Sequence, residues 1–118
     1  EARLHENYKR MVLEARISDT VLVGRGKLPV RSVRNNFTEL VLAAERDGIP
    51  STHPEAFEQL LASATLKQAS LDGDTANGKV EAGQCAGLID RIQPAAEIMQ
   101  ELIADTQRAL KRLHDMQS

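Results

Sequence analysis

Residues 73–89 read GDTANGKVEAGQCAGLI, with four glycines (Gly73, Gly78, Gly83, Gly87) and three alanines (Ala76, Ala82, Ala86) between segments whose apolar residues recur at helical spacing. So little bulk marks a place where the main chain must come close to something else. Val80, Gly83, Cys85, Gly87, Leu88 and Ile89 predict a short helix starting near Lys79, which would put Gly83 and Gly87, and also Ala82 and Ala86, on neighbouring bare strips. A glycine inside a helix costs about 1 kcal/mol relative to alanine, so two cost about 2 kcal/mol unless a close approach offsets it. Two readings account for that approach. One is tight packing against another helix through small residues. The other is a ligand or a neighbouring domain lying against this backbone.

Outward from that stretch the pattern is mostly helical. Leu4, Tyr8, Met11, Val12 and Ala15 share one face of an amphipathic helix over residues 3–15. Val21-Leu22-Val23, closed by Gly24 and Gly26, predicts a small strand and turn. From Pro29 on, Val30, Val33, Phe37, Leu40, Val41 and Ala44 predict a second helix stopping at Gly48, followed by a GIPST loop. Thr52 and Glu55 form a capping-box pattern for a third helix, whose face is Phe57, Leu60, Leu61 and Ala64. Residues 66–71 predict a second short strand leading into the Asp72-Gly73-Asp74 turn. Pro94 opens a long last helix through Ile98, Met99, Leu102, Ile103, Leu110 and about Leu113. The expected fold class is α+β, mainly helical with two short strands.

Several chemistries fail on spacing. The stretch GDTANGK matches neither the phosphate-binding P-loop nor GxGxxG, and Asp72 and Asp74 would repel a phosphate. As a calcium loop from Asp72 it has Ala76 at the fifth position, Asn77 where the turn glycine belongs and Gly83 in place of the closing glutamate. His5, His53 and His114 lie far apart and away from Cys85, so no metal set is expected and the histidines read as surface or capping residues. Cys85 reads as a small buried residue, and a lone cysteine fits a reducing cytoplasm.

Composition narrows the partners. The 118 residues suit one domain or a piece of a larger one, and the start EARLHENYKR suggests a chain that begins inside a structural element. Fifteen basic residues scattered among seventeen acidic ones give a net charge of −2, without the basic footprint of a nucleic-acid binder. The only aromatics are Tyr8, Phe37 and Phe57, too few for base-stacking platforms. No apolar run approaches the roughly 18 residues of a membrane span.

With these residues on the page, the chain resembles the C-terminal third of the FMN-dependent family of nitronate monooxygenases (2-nitropropane dioxygenases) and flavin-type enoyl-acyl-carrier-protein reductases. The resemblance runs through HENYKRMVLEA, PVRSVRNNF, GDTANGKVEAGQCAGLI and PAAEIMQELI, which together reach across nearly the whole chain. Its most specific part is Gly73, Asp74, Gly78, Ala82, Gly83, Gln84, Ala86, Gly87, Leu88 and Ile89 in one register; Arg31-Ser32-Val33-Arg34-Asn35 is a weaker second match. The resemblance implies a parent (β/α)8 barrel carrying FMN at the C-terminal ends of its strands, with a small covering domain inserted or appended to it. On that implication residues 1–17 are the helix after the last barrel strand, 18–92 the covering domain and 93–118 a closing helix.

The same resemblance places the FMN-binding glycines and the base histidine upstream, so this chain would hold no catalytic, cofactor-binding or metal residue of its own. Its substrate-side residues would be Glu81, Ala82, Gly83 and Gln84. Gln84 is open to two readings, a hydrogen bond to substrate or a helix-cap or interdomain contact. The first implied activity is oxidation of nitronates with O2; the alternative is NAD(P)H- and FMN-dependent enoyl-acyl-carrier-protein reduction, and a non-catalytic helical interaction module is a third reading. The implied partners are the FMN barrel of the same parent chain and a small-molecule substrate, with self-association of the chain when it stands alone. One position departs from the family: Glu81 stands where relatives tend to be uncharged. A carboxylate facing the pocket would disfavour an anionic nitronate, so either Glu81 faces solvent or the substrate is not a nitronate.

Overall fold

The computed structural model describes residues 1–117. In chain order these form α1 (Glu6–Glu14), β1 (Thr20–Val23), β2 (Val30–Val33), α2 (Asn36–Arg46), α3 (Ile49–Thr52), α4 (Pro54–Ala62), α5 (Leu66–Ser70), a 3-10 turn (Gln84–Leu88) and α6 (Ala95–Gln117). The chain is mainly helical with two short antiparallel strands, as expected, but the second strand is not where the sequence reading put it.

β1 and β2 are the organising element. They pair antiparallel with Thr20 opposite Val33 and Val23 opposite Val30. Because strand side chains alternate, each face of this hairpin serves a different core. Val21 and Val23 join Phe37, Val41, Phe57 and Ala64 on one side. On the other, Val33 joins Tyr8, Ala15, Ala69, Val80 and Ala86. The backbone of residues 80–82 then runs along the free edge of β2, where Val33 N–H donates to the Val80 carbonyl (2.8 Å), Ala82 N–H donates to the Arg31 carbonyl (3.2 Å), and Ser32 and Glu81 form an isolated bridge.

Four expectations are corrected. Val30 to Val33 is a strand, not the first turn of a helix, because Gly24 and Gly26 at φ 80° and 85° turn the chain back on β1 and the β-branched valines fit the pleat. The helix starts at Asn36, where Asn35 in an extended conformation closes a capping box: its side chain accepts from Thr38 N–H (3.0 Å) while Thr38 Oγ1 accepts from Asn35 N–H (2.9 Å). Residues 66–70 form a helix rather than a strand, because Thr65 and Gln68 make a second capping box. Residues 80–82 pair along β2 rather than forming a helix, because that strand offers backbone partners to them; helical pairing begins only at Gln84, as a 3-10 turn. Gly83 therefore lies outside any helix, and Gly87 lies in this single 3-10 turn rather than in an α-helix.

Smaller differences follow the same logic. α1 begins at Glu6 rather than residue 3, with His5 as its cap: the ring Nδ1 accepts from Asn7 N–H (3.1 Å). The GIPST loop is the single turn α3, and Thr52 does not cap α4, since its hydroxyl donates back to the Gly48 carbonyl (3.0 Å). α6 runs to Gln117, past the expected Leu113, and has no buried residue. Cys85 is exposed, not buried.

Candidate functional site

The two segments that carry the family resemblance meet in space. Asn35 Nδ2 donates to the carbonyls of Thr75 (2.9 Å) and Gly78 (2.7 Å), and Asn36 Nδ2 donates to Asn77 Oδ1 (3.1 Å). Asp74 closes the other side of this knot, accepting from Gln68 Nε2 (2.8 Å) and from Asn77 N–H (3.1 Å). Those donors, Gln68 foremost, hold the Asp74 carboxyl below the ordinary carboxylate range. The turn at residues 72–78 is thus fixed by the start of α2 and by α5, and it delivers Val80 to Ala82 onto the edge of β2.

Three of the four glycines in the opening stretch are accounted for inside the chain. Gly73 has φ 80°, and a Cβ there would lie 2.5 Å from Cε1 of the His5 ring. At Gly78 a Cβ would sit 2.7 Å from the Ala69 backbone nitrogen, and at Gly87 it would sit 2.6 Å from the Ile17 Cα. Gly83 differs: the nearest atom to its Cβ position is Cys85 Sγ at 3.5 Å, and Gly83, Gln84 and Cys85 are all exposed. Close packing within the chain explains Gly78 and Gly87, while Gly83 faces open space.

Beside this segment lies a groove of about 440 Å³ between α1, residues 81–82 and the chain leading into α6. Tyr8, Val12, Glu81, Ala82, Ile92 and Ile98 contribute to its lining. Tyr8 O–H donates to the Glu81 carbonyl (2.7 Å), pinning that residue to α1 across 73 positions of sequence. Burial, and then the negative charge of Glu81, push the Tyr8 phenol above its usual value, so it remains a neutral donor throughout the physiological range. A larger concavity of about 530 Å³ follows charged residues of α6 alone, where no second element converges.

Of the four expected substrate-side residues, the groove brings together Glu81 and Ala82, whereas Gly83 and Gln84 stand outside its lining at the start of the 3-10 turn. Glu81 is half-buried and is among the residues that line the groove. The sequence reading assigned Tyr8 only to a helix face. Its signal was chemical: a tyrosine at a core position brings a hydroxyl that needs a partner. Among the described residues no cluster of three or more His, Cys, Asp or Glu could hold a metal, and no helix is long and apolar enough to cross a membrane.

The groove does not fit a flavin phosphate. Its ionic residues are Glu81, Glu1, whose carboxylate accepts from Ala95 N–H (2.8 Å), Lys9, which is paired with Glu6 (3.1 Å), and Arg91, which is paired with Glu101 (2.6 Å). What it fits is the neutral, largely apolar part of a ligand.

No family model and no curated protein matches the chain. Among solved structures it is similar to FabK from Thermotoga maritima, with a TM-score of 0.76 and 29% identity over 94% of this chain and 34% of FabK. It is also similar to a point mutant of FabK from the same organism, with a TM-score of 0.73 and 28% identity over 96% of this chain and 32% of that one. The chain spans about a third of the length of the solved structures it matches.

Proposed function

We propose that the chain is the substrate-side third of an FMN-dependent enoyl-acyl-carrier-protein reductase, whose flavin barrel, base histidine and NAD(P)H site lie on the rest of the parent protein. The observation that carries this reading is the likeness to FabK, a flavin-type enoyl-acyl-carrier-protein reductase, across 94% of the chain. It favours the second of the two activities implied by the family resemblance over nitronate oxidation.

Glu81 supports the same choice on electrostatic grounds. Unit charges ~4 Å apart at an effective dielectric near 20 interact by about 4 kcal/mol, so a nitronate entering the groove beside Glu81 meets a substantial repulsion. A thioester of a neutral enoyl group meets none. In this reading bound FMN supplies the hydride chemistry, and the residues of this chain shape and orient. Tyr8 holds the Glu81 backbone in place, Ala82 and the apolar lining keep water from the reactive end, and the bare backbone at Gly83 allows close approach of flavin or substrate. The FMN barrel of the parent chain and an enoyl thioester are the partners this requires.

Turnover by the full-length protein tests the proposal. NADH-dependent reduction of a crotonyl thioester, well above any nitronate-dependent oxygen uptake, is the expected result. Nitronate-dependent oxygen uptake with no thioester reduction would reverse it.

A further inference from the structure

The hairpin face that carries Val21, Val23 and Val30 also carries Ser32, directly opposite Val21, and Ser32 is the one hydroxyl on an otherwise apolar surface. It is 1% exposed, and its Oγ has no hydrogen-bond partner among the described residues. Buried hydroxyls in folded proteins are almost always hydrogen-bonded. Alongside it is a cavity of about 50 Å³, lined by Val23, Val30, Ser32, Phe37, Leu61 and Lys79 among others. Val30 and Ser32 both reach it because they are two residues apart on one strand face. Lys79 brings a second polar group: its Nζ lies 5.6 Å from the centroid of the Phe37 ring, which lines the same cavity. Among the described residues Lys79 has no ion-pair partner.

We propose that this cavity is a hydration site holding ordered water between Ser32 and Lys79. A water needs roughly 10–15 Å³ in which its centre can move, so a space of about 50 Å³ has room for one or a few waters. The water oxygen accepts from the Lys79 ammonium, and one of its O–H groups donates to Ser32 Oγ. Ser32 bridges Glu81 through the backbone, and Lys79 lies two residues before Glu81. The water therefore ties the hairpin to the segment that enters the groove, from the side opposite the Tyr8 hydrogen bond. The site depends only on this chain and stands whether or not the enzymatic reading holds.

Water–protein cross-relaxation NMR on the chain tests this, together with denaturant unfolding of Ser32→Ala. The expected result is a long-lived water signal at Ser32 and Lys79 protons that disappears in Ser32→Ala, and an unfolding constant raised about fivefold in that variant, the scale of one lost hydrogen bond. Absence of the signal from the wild-type chain would overturn the proposal. So would a Ser32→Ala or Ser32→Val variant more stable than wild type, because a dry cavity gains when an unpartnered hydroxyl is removed or the space is filled.

Discussion

Gly87 and Gly83 look alike in the sequence and are opposites in the structure. A methyl at Gly87 would run into the backbone of Arg16 and Ile17, which cannot retreat without moving the end of α1. At Gly83 it would meet only the flexible edge of Cys85. Gly87→Ala is therefore expected to destabilise the chain by about 1–3 kcal/mol, the usual cost of overpacking, and Gly83→Ala by no more than about 0.5 kcal/mol. Denaturant unfolding of both variants measures this. If Gly83 leaves room for flavin or substrate, Gly83→Ala should still lower turnover of the full-length enzyme. Asp74 gives a pH signature of its own. Its folded value is depressed, so its contribution is present above the ordinary carboxylate value near ~3.9 and disappears as pH falls through the lowered one. Acid unfolding in that window should flatten in Asp74→Asn. Asp19, held down mainly by the Arg16 backbone N–H, titrates in the same direction and persists as background.

The elements that could be read from sequence are β1, closed by Gly24 and Gly26, and the helices whose apolar period is long, α1, the body of α2, α4 and α6, though not where each helix begins. Val30 and Val33 fit a helical face through Phe37 as well as they fit a strand, and only the Gly24 and Gly26 turn and the Asn35 cap decide between them. Residues 80–82 are extended because β2 offers a free edge, a tertiary fact that no local pattern carries. The same limit applied to the site. Glu81 and Ala82 line the groove while Gly83 and Gln84 stand outside its lining, and Tyr8 reaches Glu81 only through the fold. α6 raises the opposite issue. Its apolar positions are plain in the sequence, yet none of its 23 residues is fully buried, and Ile98, Leu102, Ile103, Leu110 and Leu113 are each at least half exposed. A stripe of that kind favours association. Light scattering on the isolated chain should show concentration-dependent oligomers that dissociate in a Leu102→Glu, Leu110→Glu variant. A monomer at high concentration would contradict this.

As a whole the molecule is elongated, 58 × 35 × 18 Å, with two small cores on either face of one hairpin, a groove open on one side and a long helix resting on neither core. That form suits a module completed by something larger, and the third of FabK that it matches gives the larger body a scale. The central claim is that residues 81–84 border the reacting centre of a flavin enzyme. A crystal structure of the full-length, FMN-loaded protein with a crotonyl thioester analogue tests it most directly. The account predicts the Gly83 main chain in van der Waals contact with flavin or analogue, and Glu81 and Ala82 beside the thioester. Gly83 facing bulk solvent, with the groove filled by side chains of the barrel, would contradict it.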